Sequence, residues 1–375
     1  MKFMKNNFFY FWLSASLLLS TSCSHEEVVP QPQSASVIRA AVAEDLGVVP
    51  RGIDFAHIPE VVAFGSCADQ DAPQPLWPVI ASNSPNLFLF MGDNVYSSRP
   101  EKKPVSQQYS KLAHLKDFKN FREKIPIMVT WDDGDYGQVD GGADFEGKEA
   151  NRKEFIKFWP YVKDSLGFNQ GGVYHAKIIG GAKKKQPSLQ VIMLDTRYFR
   201  SPLKPNPDTT NPLKKYIPND DPEATILGQQ QWNWLEEQLE RPADIRFIVS
   251  SIQFLAEEHG FEKWANFPKE KEKFLNLLKR TQAKNVFIMS GDRHLGIISK
   301  QEVKGYGPLW EITSSSINKS TTLNETDPTY HGVPITTENF GLALIQWKKK
   351  KITFQLKNIK NEVLNSIDVP LKLAH

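Results

Sequence analysis

A chain of 375 residues with 40% hydrophobic and 24% charged residues can build a large globular core, so it is neither wholly disordered nor collagen-like. The formal net charge of +3 supplies no strong positive field, and we expect no nucleic-acid partner. A mean hydropathy of −0.43 excludes a protein with many membrane spans, and 2 cysteines cannot form a disulfide framework.

The beginning of the chain has the pattern of a bacterial targeting signal. Two lysines precede an apolar run, Phe8–Leu19, which is short for a membrane span and ends in small residues. These residues stand directly before Cys23 and resemble a lipoprotein lipobox, although Ser20 replaces the usual aliphatic residue. The sequence predicts a lipoprotein signal peptide over residues 1–22, cleavage before Cys23, and lipidation of its sulfur. The alternative is an ordinary secretory signal followed by an incidental cysteine.

This signal also predicts where the protein resides. We expect the bacterial cell envelope, with a lipid at Cys23 that anchors the chain to a membrane in the periplasm or at the outer surface. Residues 23–58 contain Pro, Gln, Ser and Ala without clear periodicity, which is typical of a flexible tether. One further domain is predicted over residues 59–375.

Short apolar runs that end in polar residues follow the tether. Such runs are typical of buried strands, and they occur at Val61–Cys67, Leu87–Asp93, Ile125–Trp131, Leu189–Asp195, Ile245–Ser251 and Asn285–Asp292. Two amphipathic segments, Gly228–Leu239 and Lys269–Lys279, predict helices. The stretch from Ser201 to Ala224 is rich in Pro, Asn and Asp and predicts a long surface loop. Near the end, Phe340–Trp347 and Ile352–Leu356 predict a hairpin.

Residues capable of chemistry follow the predicted strands directly: Cys67, Asp93, Asp133, Asp195 and Asp292. The carboxyl ends of strands in an open α/β sheet face a common crevice. Carboxylates gathered there would repel one another and raise one another's pKa unless cations neutralised them, as a dinuclear metal site does. For any single aspartate, a turn or a helix cap is the alternative.

Two local spacings support a metal site. Asp93 and Tyr96 lie three residues apart after one strand, and a phenolate suits ferric iron, to which Cys67 could add a thiolate. Asp292 and His294 lie two residues apart, so both side chains can leave one side of an extended strand end.

Five motifs resemble those of the alkaline phosphatase D, or PhoD-like, metallophosphatases. They occur in order between about residues 60 and 347, and they are Phe64–Cys67, Met91–Tyr96, Thr130–Asp133, Leu194–Tyr198 and Ser290–His294. The resemblance implies an α/β fold, a metallophosphoesterase-type αββα sandwich. It also implies a PhoD-like metallophosphatase domain over residues 59–375.

The same resemblance implies the cofactors: iron together with calcium or another divalent metal. By motif, Cys67, Asp93, Tyr96 and His294 would hold the iron. Asp93 would bridge the two ions, and Asp133 and Asp292 would hold the second.

Three residues are candidates for catalysis. Asp133 would act through the second metal, and His259 could face the leaving group, although an ordinary loop histidine is an equal alternative. Arg293 lies between two ligand candidates and either contacts phosphate or forms a salt bridge. The chain departs from the family at Gly134, which stands in Trp131-Asp132-Asp133-Gly134-Asp135 where the family has histidine, so activity is expected to be reduced.

The leading hypothesis is therefore hydrolysis of phosphoric esters, with monoesters favoured over diesters and a metal-activated hydroxide as nucleophile. The substrate would be a phosphorylated small molecule or sugar. Two alternatives stay open because of Gly134. One is a related surface lipoprotein hydrolase of another ester, such as a sulfate or a modified sugar. The other is a relative that binds its ligand without turnover.

Overall fold

The computed structural model describes residues 51–98, 104–181, 183 and 186–373. The predicted signal peptide, Cys23 and most of the predicted tether lie outside the described residues. Of the helices in the described ranges, none combines the length and the hydrophobicity that a membrane span requires.

Most of the strands belong to two large mixed sheets. In chain order the strands are β1 (Val61–Gly65), β2 (Leu87–Met91), β3 (Ile127–Thr130), β4 (His175–Gly180), β5 (Ser188–Met193), β6 (Lys204–Pro205), β7 (Tyr216–Ile217), β8 (Ile245–Ser250), β9 (Val286–Ser290), β10 (Gly296–Val303), β11 (Gly307–Ser314), β12 (Tyr330–Ile335), β13 (Phe340–Gln346), β14 (Lys351–Lys357) and β15 (Val363–Pro370). The first sheet has the order β15-β14-β13-β1-β2-β3, and the second has the order β12-β10-β11-β9-β8-β5-β4. Strands β6 and β7 form a separate small ladder.

Parallel strands occupy the part of each sheet that carries the predicted motifs. In the first sheet β1, β2 and β3 are parallel neighbours. In the second, β5, β8, β9 and β11 are parallel neighbours. Their carboxyl ends therefore lie along the same edge of each sheet, which is where side chains from different strands can meet.

Helices cover the outer faces of the two sheets. They are α1 (Leu76–Ser82), α2 (Val105–His114), α3 (Lys116–Lys124), α4 (Asp133–Tyr136), α5 (Lys148–Phe158), α6 (Pro160–Lys163), α7 (Gly228–Glu240) and α8 (Pro268–Thr281), with two 3-10 turns at Trp264–Asn266 and Trp347–Lys349. Helices α1 to α3 and α5 pack on the first sheet, whereas α7 and α8 pack on the second. Four layers result, as the αββα expectation requires.

The alternation of side chains along a strand explains these layers. In β2, Leu89 and Met91 point into the core between the two sheets, whereas Phe88 and Phe90 point toward the helices. Strand β8 alternates in the same way, because Phe247 packs between the sheets while Ile248 packs against the helices α7 and α8. Both faces of such strands are buried, so their sequences are continuously apolar.

The predicted elements are confirmed with small shifts at their ends. The six apolar runs form β1, β2, β3, β5, β8 and β9, the two amphipathic segments form α7 and α8, and the hairpin is β13 with β14. The long loop is present and contains the small β6–β7 ladder. The sequence did not predict β4, β6, β7, β10, β11, β12 or β15, because several of their residues are polar, exposed or only half-buried.

Candidate metal centre

The ends of three strands bring four of the predicted ligands together. Cys67 and Asp93 follow β1 and β2 by two residues, and Asp292 and His294 follow β9. All four have left-handed backbone, with φ of 60° at Cys67, 49° at Asp93, 69° at Asp292 and 56° at His294. Left-handed backbone is uncommon for residues other than glycine, and its concentration at one place is typical of a functional site.

Two groups of donor atoms form where these strand ends meet. The ligand atoms of Cys67, Asp93 and His294 lie within 4.8 Å of one another, and so do those of Asp93, Asp132 and Asp133. Asp93 belongs to both groups. The Tyr96 hydroxyl lies 3.2 Å from His294 Nε2, which extends the first group. The described residues thus provide a mixed sulfur, nitrogen and oxygen set next to an all-oxygen set.

The electrostatics of the cluster favour bound cations. Burial, together with the charges of Asp133 and Asp132, raises the pKa of Asp93 well above its ordinary value. Burial also raises the pKa of the Cys67 thiol and lowers that of His294 to about 3. Among the described residues, the buried Oδ2 atom of Asp132 has no hydrogen-bond partner. These donors fit metal ions, because a cation would stabilise the anionic forms that burial and mutual repulsion disfavour.

The donor types in the two groups suit different ions. A thiolate, an imidazole and a phenolate are ligands that a transition metal such as iron accepts. Carboxylates alone suit a harder divalent cation such as calcium. Asp133, Asp292 and His294 are partly exposed, so the cluster opens to solvent on one side.

Asp132 is a member of the cluster that the sequence did not identify. Its Oδ1 accepts hydrogen bonds from Arg197 Nε at 2.6 Å and from Ser251 Oγ at 2.7 Å. Arg197 also pairs with Glu262, which in turn lies 2.8 Å from Arg200 Nε. The signal for Asp132 was present as the first carboxylate of Trp-Asp-Asp, but chain order does not show which of two adjacent aspartates faces a site.

Asp292 and Asp195 differ in their relation to the cluster. Asp292 belongs to neither group of donors, although it lies two residues before His294 in the chain, and burial together with the charge of Asp132 raises its pKa. Asp195 instead accepts hydrogen bonds from the backbone N–H groups of Val173, Arg197 and Tyr198, at 2.9 Å each. For Asp195 the alternative of a turn carboxylate is therefore the better description.

The two remaining catalytic candidates lie beside each other. His259 is buried, and the charge of Arg293 adds to burial in lowering the pKa of its imidazole. Its Nδ1 accepts the N–H of Phe261 at 3.3 Å, so Nε2 carries the proton, and Nε2 has no partner among the described residues. Arg293 forms a salt bridge with Glu325 and stacks 4.3 Å from the centroid of the Phe261 ring.

Gly134 allows a close backbone approach to the cluster. Its N–H donates to Asp93 Oδ1 at 2.9 Å. A Cβ atom here would lie 2.5 Å from the Val95 carbonyl oxygen and 2.7 Å from Asp93 Oδ1. The backbone therefore occupies the space that a side chain at this position would need, and it supplies a hydrogen bond to the shared carboxylate.

Gly134→Ala is expected to destabilise the protein by about 1–3 kcal/mol, as overpacking does elsewhere, and to weaken metal binding by displacing Asp93. Thermal unfolding with and without added metal measures both effects. Gly52→Ala is the matched control, because nothing lies within 4 Å of a Cβ there. Equal behaviour of the two variants would contradict the close approach. In Gly134→His the new Cβ would approach the same oxygen atoms of Val95 and Asp93, so we expect this substitution to give no gain of activity.

The chain is thus a four-layer α/β sandwich that gathers carboxylate, thiol and imidazole donors at the ends of its strands. The family model for PhoD-like phosphatases matches residues 62–358, so the chain belongs to the PhoD-like phosphatase family.

Individual relatives are distant. The chain is 22% identical over 305 residues to alkaline phosphatase D of Bacillus subtilis (strain 168), covering 70% of this chain. It spans 50% of the length of that curated relative. Among solved structures it is similar to that of PhoD, with a TM-score of 0.62 and 17% identity over 86% of this chain and 70% of the other. The inner-membrane-complex anchor GAP50 of Plasmodium is also similar, with a TM-score of 0.52 and 12% identity over 84% and 90% of the two chains.

Proposed function

We propose that this protein is a metal-dependent hydrolase of phosphoric esters that works through a dinuclear centre. The observation that carries the proposal is that Asp93 belongs to two groups of donor atoms at once, so two ions can share its carboxylate. Membership of the PhoD-like phosphatase family supports the reaction class. No feature of the described residues favours a sulfate or sugar ester, or binding without turnover.

The residues divide between the two ions. Iron would be held by Cys67, Tyr96 and His294, and a divalent ion such as calcium by Asp132 and Asp133, with Asp93 between them. Asp292 would complete the second set. When bound, such ions lower the pKa of a water molecule and offer positive charge to the phosphoryl oxygens. Compared with the sequence expectation, this assignment adds Asp132.

The protein's own groups would orient the ester and its leaving group. His259 stays neutral because burial and the neighbouring Arg293 disfavour imidazolium, so its Nε2–H is a hydrogen-bond donor over a wide pH range. Arg293 holds its guanidinium beside Asp292, at 4.0 Å, and is fixed by Glu325. We assign His259 to the leaving-group oxygen and Arg293 to the orientation of Asp292.

Metal-loaded protein is expected to hydrolyse activated aryl phosphate esters, and removal of the metals by chelation should abolish turnover. The measurement combines elemental analysis of the purified protein with rates on a chromogenic phosphomonoester, a phosphodiester and a sulfate ester. Reloading the chelated protein with iron and calcium should restore the rate. Metal bound without turnover of any ester would contradict the proposal and favour the ligand-binding alternative. Turnover of the sulfate ester alone would favour the alternative of a related hydrolase that acts on another ester.

We also propose that a lipid on Cys23 anchors the protein in the bacterial cell envelope. Support comes from the apolar run and the small residues that precede this cysteine. More than one acyl chain is needed for stable anchoring. Mass spectrometry of the mature protein tests this, because an unmodified Cys23 inside a longer chain would contradict it.

A further inference from the structure

Lys319 places a positive charge beside the donor cluster. Its Nζ lies 3.5 Å from the centroid of the Tyr96 ring, and the side chain is half-buried. Its charge adds to burial in lowering the pKa of His294, and it opposes the rise in the pKa of Asp93. The ammonium group is thus close enough to act on any anion that binds at the cluster.

The loop that carries Lys319 is fastened on both sides. Asn318 accepts the Asp69 N–H at 2.7 Å and donates to the Asp69 carbonyl at 2.8 Å. On the other side, the Thr321 N–H donates to the carbonyl of His294 at 2.9 Å. The first pair of hydrogen bonds connects the loop to the segment after β1, and the last connects it to His294, a predicted metal ligand. The lysine is therefore held in place by its neighbours.

The other cations around the cluster already have carboxylate partners. Arg197 pairs with Asp132 and Glu262, and Arg293 pairs with Glu325. Within the described ranges, Lys319 forms no ion pair, and its contact is with an aromatic face. A half-buried ammonium without a carboxylate is available to a ligand, and an ammonium is a good point-charge partner for phosphate.

We propose that Lys319 binds a peripheral oxygen of the substrate's phosphoryl group and makes the protein prefer phosphomonoesters to phosphodiesters. The inference rests on the proposed function. A monoester phosphoryl group carries up to two negative charges and has three non-bridging oxygen atoms, whereas a diester carries one charge and has two. A fixed cation at the edge of the cluster therefore stabilises the monoester more.

The test uses Lys319→Met, which keeps the length of the side chain and removes its charge. We expect kcat/KM for an aryl phosphomonoester to fall by about 10–100-fold, as loss of a hydrogen bond to a charged group does, and the diester value to fall much less. Lys319→Arg should retain most of the monoester activity. Lys348→Met is the matched control, because Lys348 is exposed in the turn after β13, beyond the opposite end of the sheet.

Binding of inorganic phosphate to the metal-loaded protein, measured by calorimetry, gives a second readout that does not need turnover. Lys319→Met should weaken it, and Lys348→Met should not. Equal losses for both esters, unchanged phosphate affinity, or a loss of bound metal in Lys319→Met would each overturn the inference. If wild-type protein hydrolyses neither ester, the proposed function fails, and the phosphate measurement still decides whether Lys319 binds the anion.

Discussion

Asp93→Asn should remove both metal ions, whereas Asp292→Asn should weaken only one. Asp93 belongs to both groups of donors, so its loss leaves two cations short of negative charge, while Asp292 belongs to neither. Substitution of a residue that only hydrogen-bonds to a metal ligand typically lowers the metal affinity by about 10–100-fold, and substitution of a shared ligand should lower it more. Asparagine keeps an oxygen that can accept the Gly134 N–H, so the effect of charge is separated from that of folding.

Elemental analysis after dialysis against buffer of fixed free metal measures the expected difference. Circular dichroism confirms that both variants are folded. Asp368→Asn serves as the control, because Asp368 is on β15 with its carboxylate on the surface, hydrogen-bonded to Thr353 at 2.6 Å. The shared-carboxylate assignment would be wrong if Asp93→Asn kept the wild-type metal content, or if Asp292→Asn lost as much.

Glu262→Gln should lower the stability by about 3–5 kcal/mol, as expected when one partner of a buried ion pair is removed. Glu262 is 1% exposed and pairs with two arginines, Arg197 and Arg200, that are themselves 0% exposed. After the substitution, Arg197 still pairs with Asp132, whereas Arg200 is left, among the described residues, with the neutral backbone carbonyls of Ser201 and Asp140. Desolvated charge without a partner is costly, so the loss should be large.

Thermal unfolding at constant free metal measures this loss. The control is Glu236→Gln, which breaks the ion pair with Arg280, whose side chains are 39% and 61% exposed. Exposed pairs typically contribute about 0–1 kcal/mol, so the control should change little. Similar effects of the two substitutions would show that burial does not determine how much the Arg197–Glu262–Arg200 network contributes to the free energy of unfolding.

Much of the fold could be predicted from the sequence because its signals are local. Strands buried on both faces are continuously apolar, as in Leu87–Met91, and an amphipathic helix such as α8 repeats its apolar residues along one face. The strands with half-exposed or polar positions, such as β12 and β15, could not be predicted this way. Their pairing depends on partners that are distant in the chain.

Some residues of the candidate site could likewise be predicted from the sequence, and others could not. Cys67, Asp93 and His294 could be predicted because each lies within four residues of the end of a strand, and parallel strands bring their ends to one edge. Chain order alone, however, does not show that Asp132 faces the cluster while Asp195 caps a turn. That distinction depends on which backbone N–H groups and cations each carboxylate meets after folding.

By itself, then, the sequence predicted eight of the strands, two helices and most of the candidate metal ligands, because apolar periodicity and strand-end motifs are properties of neighbouring residues. Only the tertiary structure decided that Gly134 has no room for a side chain, because the obstructing oxygen atoms come from Val95 and Asp93. It also decided that Lys319 lies on the ring of Tyr96, more than two hundred residues away along the chain. Contacts of this kind depend on how the sheets and loops pack, which no local pattern of residues records.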